Sequence, residues 1–175
     1  MKAAEEREFR DYVAARLPAL RRSAYLLCGD RHAADDVVSV ALGKLFRHWR
    51  RVSRLQQPDA YVRKMLVHAW FDERRRPWWR REHATAELPE PAPAVEPAGL
   101  IDTTVAERLH LLALLERLPA KRRAVLVLRF LDDLGIEETA EIVGCSPGTV
   151  KTHTARGLAD LRALLRADQQ AESAA

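Results

Sequence analysis

The chain has 175 residues, 47% of them hydrophobic and 31% charged, with two cysteines and a net charge of +4. This length and apolar content suit one ordinary domain or two small ones, and they exclude a mainly disordered chain. No apolar run approaches the roughly 18 residues of a membrane-spanning helix, and the first residues do not read as a secretion signal. Cys28 and Cys145 have no partner at metal-ligand spacing, so neither a disulfide framework nor a zinc site is indicated, and both are expected to be small buried packing residues. We therefore expect a cytoplasmic protein without a membrane segment, a metal or a cofactor.

Three stretches in the first half have apolar residues at helical spacing, and they cover residues 9–27, 34–49 and 58–69. The first stretch ends at Gly29, and Asp30 is suited to cap the second. Asp35 and Asp36 lie early in the second stretch, where the helix dipole favours negative charge. The third stretch opens at Pro58 and extends toward a run of arginines. We expect three helices here.

Residues 74–81 form an arginine and tryptophan run, with five arginines around two adjacent tryptophans. Arginine neutralises phosphates and indole rings stack on unpaired bases, so the run favours nucleic-acid binding. Residues 1–83 also hold 19 Lys and Arg against 11 Asp and Glu, and the polar loop at residues 52–57 is a second candidate contact. A solvated basic surface with one tryptophan in the core is the alternative, and the residues alone leave it open.

A proline-rich segment follows. Residues 88–99 contain four prolines and no helical or strand period, and residues 84–103 carry four acids but no Lys or Arg. Such a segment is extended rather than packed. It either acts as a plain spacer or occupies a channel in a partner, and sequence physics does not choose between them.

Two helices are expected directly after this segment. Thr104 and Glu107 have the spacing of a capping box, which predicts a helix through Leu118. Pro119 suits the first position of the next helix, which ends near Leu131.

The last third predicts a helix-turn-helix. Ile136, Ala140 and Val143 share one apolar face of a first helix. Gly144 accepts a left-handed backbone, and Ser146-Pro147 supplies an N-cap followed by a first-turn proline. A second helix therefore begins at residue 147, and the N-terminal part of such a helix enters the major groove of DNA.

Along this second helix we expect three apolar side chains to face inward, with Thr154 between them: Val150, Leu158 and Leu161. The side chains left for DNA are Thr149, Lys151, Thr152, His153 and Arg156. No stretch alternates with a period of two, so the predicted fold class is all-α. Two small helical domains, residues 1–83 and 104–175, are expected on either side of an extended linker at residues 84–103.

Several segments resemble the extracytoplasmic-function (ECF) sigma factors of bacterial RNA polymerase. They are similar to the family's region 2.1–2.2 junction, regions 2.3–2.4, region 4.1 and region 4.2, at residues 28–38, 58–63, 118–130 and 144–151 respectively. Residues 74–81 and 156–162 further resemble a SigE-like subfamily. The resemblance covers nearly the whole chain and implies a sigma region 2 bundle, a linker and a sigma region 4 helix-turn-helix.

The resemblance also implies a function and its site residues. Members bind core RNA polymerase through its clamp and flap regions, direct it to promoters and help to open the DNA. The clamp-facing residues would be Asp35, Asp36, Val38, Ser39 and Leu42. The minus-ten element would be read by Ser53, Arg54, Gln56, Gln57, Arg63, Lys64, Arg74, Arg75 and Trp78. The five DNA-facing residues of the last helix would read the minus-thirty-five element, and an anti-sigma factor is a further candidate partner.

The residues leave two functions other than a sigma factor open. A conventional helix-turn-helix regulator would bind palindromic operators tightly by itself, with half-sites about 34–36 Å apart. An RNA-binding adaptor would prefer RNA to promoter DNA. An enzyme is not expected, because the six histidines lack metal-ligand pairing and no glycine-rich phosphate loop occurs.

The chain ends in Ala174 and Ala175, which resemble the degradation tags read by ClpX-type proteases. A frayed end of an alanine-rich protein is the alternative explanation.

Overall fold

The computed structural model describes residues 3–75 and 105–173, and within these ranges it contains helices and turns but no strand. The predicted all-α fold class is confirmed. The chain divides into two compact units, Met1–Glu96 and Pro97–Ala175. The predicted boundaries after residues 83 and 103, and the linker between them, lie outside the described ranges and stay predictions. Among the described helices, none combines the length and the apolar character needed to cross a membrane.

The described residues of unit 1 form three long helices, each of which contacts the other two. They are α1 (Ala3–Cys28), α2 (Arg31–Val52) and α3 (Pro58–Arg75). The chain turns from α1 into α2 at Gly29, which has a φ of 80°. Asp30 then caps α2 as predicted, because its carboxylate accepts a 2.7 Å hydrogen bond from the backbone N–H of Ala33.

The predicted apolar stripe of α2 forms the centre of unit 1. All of its members are buried: Ala34, Val37, Val38, Ala41, Leu45 and Trp49. On α3 the prediction was only partly right, since Tyr61 and Met65 are half-buried. Val67 and Trp70 were not among the predicted core residues of α3. They are 1% and 0% exposed and complete the core. Trp70 is the largest fully buried side chain of the described residues.

A hydrogen-bonded group ties α1 to the start of α3. The Tyr12 hydroxyl donates to Asp59 Oδ1 at 2.7 Å, and Arg16 Nε lies 3.0 Å from both carboxylate oxygens of Asp59. Burial alone would raise the pKa of Asp59, but hydrogen bonds from Arg16 and Tyr12 outweigh it and lower that pKa. Burial, and then the hydrogen bond to Asp59, raise the pKa of Tyr12 above its usual range.

Within residues 105–173, unit 2 has four helices and one π-helical turn. They are α4 (Val105–Glu116), α5 (Ala120–Leu126), the π turn (Val127–Leu131), α6 (Ile136–Val143) and α7 (Pro147–Ser173). Val105 is the first described residue of α4, so the proposed Thr104 cap lies outside the described ranges. Pro119 precedes α5 as its N-cap, which agrees with a helix starting there.

The predicted helix does end near Leu131, but its second half is π-helical rather than α-helical. The regular α-helix stops at Leu126, and Asp132 N–H donates instead to the Val127 carbonyl at 3.0 Å. The Leu134 N–H reaches the Leu128 carbonyl at 2.9 Å, and the side chain of Arg129 donates to the Leu134 carbonyl. These bonds redirect the chain toward α6, and helical spacing in the sequence does not reveal them.

In unit 2, α7 crosses α5 at a glycine. A Cβ placed on Gly157 would lie 3.0 Å from Leu126 Cδ1, so a larger residue here would require the Leu126 side chain to shift. Val150 is fully buried as predicted, whereas Leu158 and Leu161 are half-buried. Gly157 is therefore an inward-facing position of α7 that the sequence pattern did not predict.

The two cysteines differ in burial. Cys28 is 4% exposed, as expected for a packing residue. Cys145 is only half-buried, so the expectation of burial was wrong for it. It lies in the turn between α6 and α7, where fewer elements cover the chain.

Candidate nucleic-acid interface

The turn between α6 and α7 has the geometry predicted for a helix-turn-helix. Gly144 ends α6 in the left-handed region, with φ 73° and ψ 49°, and its N–H donates to the Ala140 carbonyl at 2.9 Å. Ser146 Oγ accepts a 3.1 Å hydrogen bond from the Thr149 N–H, which is the predicted N-cap of α7. The predicted turn residues are thus confirmed by their conformation and bonding.

The first turns of α7 present a polar face on the opposite side from its buried residues. Lys151, Thr152 and Arg156 are exposed. Thr149 is half-buried, and its hydroxyl pairs with Ser146 Oγ at 2.8 Å. Thr152 Oγ1 donates to the Gly148 carbonyl at 3.1 Å, so it already has a partner within the helix. Hydroxyl, ammonium and guanidinium groups of this kind bind base edges and phosphates.

His153 lies between the exposed and buried faces of α7. Its ring is half-buried, and Nδ1 is buried without a hydrogen-bond partner. Burial lowers the pKa of His153, and the positive charges of Arg122, Lys121 and Arg156 lower it further. The imidazole is therefore neutral at pH 7.

Arg122 and Lys121 lie on α5, and helical spacing gave no sign that α5 contacts α7. Arg122 forms an ion pair with Asp160 of α7, and Lys121 beside it is exposed. The sequence signal was a run of three basic residues in the first turn of α5, Lys121 to Arg123. Helical spacing could not show that this turn packs next to His153.

In unit 1, the candidate minus-ten residues cluster on the short loop between α2 and α3 and on the exposed side of α3. Arg54, Gln56 and Gln57 are exposed in the loop, and Ser53 is half-buried. On α3, Lys64 and Arg75 are exposed, whereas Arg63 and Arg74 are half-buried. The guanidinium of Arg74 lies 5.2 Å from the centre of the Trp70 ring. Trp78 lies outside the described residues.

The candidate polymerase contacts on α2 differ in exposure. Asp36 and Ser39 are exposed and Leu42 is half-buried. Asp35 is exposed, and its carboxylate pairs with Arg21 of α1 at 3.0 Å. Val38 is 3% exposed and belongs to the core, so it supports this surface from beneath.

Two family models match most of the chain. Residues 12–80 match sigma-70 region 2, and residues 108–161 match sigma-70 region 4. The two matches fall in different units, and the second includes α5, the π turn, α6 and the first half of α7.

Relatives of known name match both units together. The chain is 36% identical to an RNA polymerase sigma-E factor of Streptomyces coelicolor, over 89% of this chain and 84% of that protein. It is 29% identical to the ECF RNA polymerase sigma factor SigM of Mycobacterium tuberculosis, over 83% of this chain and 71% of that one. The fold resembles the sigma factor RpoE of Bartonella quintana, solved in complex with the anti-sigma factor NepR, with a TM-score of 0.69, 24% identity and coverage of 92% and 98%. The chain belongs to the sigma-70 family of RNA polymerase sigma factors, within its ECF class.

Proposed function

We propose that the two units of this sigma factor divide promoter recognition between them. The chain is an alternative sigma factor, which binds core RNA polymerase and directs it to initiate transcription at particular promoters; it is not an enzyme. In the proposed division, α7 reads the minus-thirty-five element. The loop and α3 of unit 1 read the minus-ten element, and α2 binds the polymerase clamp.

The observation that carries the proposal is the exposed polar face at the start of α7. The helix begins at an N-cap with its first turns facing outward, while Val150 and Gly157 anchor the other side to the unit. A helix held in this way can enter a major groove without losing its packing. Lys151 and Arg156 supply the cations of this face, and Thr149, Thr152 and His153 supply neutral polar groups.

The proposed polymerase surface rests on exposure and charge. Asp36 and Ser39 lie on one exposed side of α2, near Leu42, with Val38 beneath them. Acidic and polar groups around a half-buried leucine suit a protein partner with a basic surface. The flap region of polymerase is a proposed second contact, without assigned residues.

Three further proposals concern partners and place. An anti-sigma factor is a proposed regulator, because one solved relative is bound to such a protein. A chain that works with core polymerase is proposed to act in the cytoplasm. Degradation by a ClpX-type protease through Ala174 and Ala175, which lie outside the described residues, is also a proposal; changing both to Asp would lengthen the cellular half-life.

The experiment that tests the function is transcription in vitro. The full chain is added to bacterial core polymerase on a pool of genomic promoter fragments, and transcript starts are mapped. Start sites that need both the chain and core are expected. Tight, polymerase-independent binding to palindromic operators, without new starts, would favour the conventional regulator, and a preference for RNA competitor would favour the adaptor.

Variants then test the assignment of α7. Lys151→Ala and Arg156→Ala are each expected to lower promoter-specific transcription severalfold, since each removes a cation from the proposed groove face. Arg162→Ala is the matched control, because Arg162 is exposed on the same helix but lies beyond the proposed contact. Equal loss in all three variants would contradict the assignment.

A further inference from the structure

The surroundings of His153 set it apart from the other proposed DNA contacts. Its neighbours on α7 include Arg156, and the first turn of α5 brings Lys121 and Arg122 toward the ring. Arg122 also pairs with the carboxylate of Asp160 on α7. The imidazole therefore lies in a positive environment, at the edge of the face proposed to meet DNA.

The two ring nitrogens are not equivalent. Nδ1 is buried and has no acceptor, so a proton placed there would be a buried donor without a partner. A bare lone pair at Nδ1 is also unpaired, but beside three cations it is favoured over an N–H, whose positive end would face them. The single proton of the neutral ring therefore belongs on Nε2. Because the ring is half-exposed and Nδ1 is its buried nitrogen, the Nε2 edge is the one open to a partner.

We propose that His153 binds promoter DNA as a neutral imidazole, donating a hydrogen bond from Nε2 to an acceptor atom of the DNA. The proposal rests on the proposed function of α7, and it deepens that function by assigning the chemical form of one contact. His153 then contributes a directional hydrogen bond but no positive charge. Lys151 and Arg156 provide the charge.

This form has a measurable consequence. A cation that neutralises a phosphate releases counterions, which steepens the dependence of binding on salt by about 0.9 per contact on a logarithmic scale. A neutral donor releases none. Removing His153 should therefore weaken binding without changing the salt slope, whereas removing a neighbouring cation should change it.

The first test observes the ring directly. The full chain, with ¹⁵N-labelled histidine, is studied by NMR at pH 7, alone and with a 20-base-pair duplex of random sequence. A neutral ring with its proton on Nε2 is expected in both samples. A doubly protonated His153 ring in the presence of the duplex would overturn the proposal, as would a proton on Nδ1 in either sample.

The second test measures salt slopes on the same duplex by fluorescence anisotropy. His153→Gln, which keeps a neutral donor, is expected to leave the slope unchanged, and His153→Lys should steepen it by about one unit. Lys151→Gln is the matched control and should flatten the slope by about one unit. A His153→Gln slope that flattens as much as the Lys151→Gln slope would show that the wild-type ring acts as a cation.

These tests need neither polymerase nor a known promoter, so their failure is distinct from failure of the proposed function. If transcription with core succeeds and the ring is charged on DNA, only the His153 proposal is wrong. If the ring is neutral and the slopes follow expectation but no core-dependent transcript starts, the promoter role of α7 is wrong and the contact remains one to DNA in general.

Discussion

Units 1 and 2 are both helical, but different kinds of residue hold them together. Unit 1 packs three long helices around large side chains, with Trp49 and Trp70 at 3% and 0% exposure. The described residues of unit 2 include three shorter helices and the 27-residue α7; they bury mainly leucine, valine and isoleucine, and Gly157 of α7 lies against Leu126. Large residues fix a core through the volume they fill, whereas small residues fix the distance between two backbones.

The difference bears on how each unit holds its proposed contacts. In unit 1 the candidate DNA contacts lie partly on a short loop beyond the packed helices and partly on α3, and the packing of the core constrains the loop less directly than α3. In unit 2 the recognition helix is itself part of the core, through Val150 and Gly157. Packing changes in unit 2 should therefore reach the DNA-facing side chains more directly than packing changes in unit 1.

The first prediction tests whether the volume of the buried Trp70 side chain stabilises unit 1. Trp70→Ala should destabilise this unit by about 3–5 kcal/mol, because it removes the largest fully buried side chain of the described residues. Urea unfolding followed by circular dichroism would measure the loss. Trp70→Phe is the control: it keeps an aromatic ring and removes an indole N–H that has no partner, so its cost should be clearly smaller. Similar costs for both variants would mean that the ring's volume is not what matters.

The second prediction tests whether the close approach of α5 and α7 is needed for the stability of unit 2. Gly157→Val should destabilise the unit by about 1–3 kcal/mol, because even a Cβ would lie 3.0 Å from Leu126. Gly43→Ala in α2 is the contrasting variant, since nothing lies within 4 Å of a Cβ there. It should stabilise unit 1 by about 0.8–1 kcal/mol through helix propensity. If Gly157→Val proved as harmless as Gly43→Ala in thermal unfolding, the close crossing of α5 and α7 would not be required.

A third prediction concerns the turn of the helix-turn-helix. Gly144→Ala should cost unit 2 about 1–2 kcal/mol, because the residue has a φ of 73°, which a side chain disfavours. Gly148→Ala is the control within α7, where the nearest atom to a new Cβ lies at an ordinary 3.8 Å. Unfolding midpoints in guanidinium compare the two. A drop for Gly148→Ala as large as that for Gly144→Ala would argue against the left-handed turn as the cause.

The smallest expected effect is the pH dependence of the stability contributed by the hydrogen bonds between Tyr12 and Arg16 of α1 and Asp59 of α3. The folded pKa of Asp59 lies below its ordinary 3.8, so its contribution to stability is present above pH 3.8 and is lost as the pH falls through the folded pKa. Asp59→Asn should cost less than about 1 kcal/mol at pH 7, since the carboxylate is partly exposed. The variant and the wild type should converge in stability in acid. Equal differences at pH 7 and pH 2.5 would exclude the carboxylate charge as the source.

The features that depend on neighbours along the chain followed from the order of the amino acids alone. The Asp30 cap, the buried stripe of α2, the left-handed Gly144 and the Ser146 cap were all predicted and are all present. Each depends on residues within one or two helical turns, where spacing and residue type are sufficient. The family resemblance was carried by the same local segments.

Only the tertiary structure decided the features that join distant parts of the chain. It replaced the end of the predicted helix with the π turn and made Gly157 the contact between α5 and α7. It also placed the positive charges of Lys121 and Arg122 where they add to the effect of burial in lowering the pKa of His153. The contribution of a side chain to such contacts depends on the angle and distance at which helices cross. Helical spacing fixes which residues share a face, but not which face of which helix they will meet.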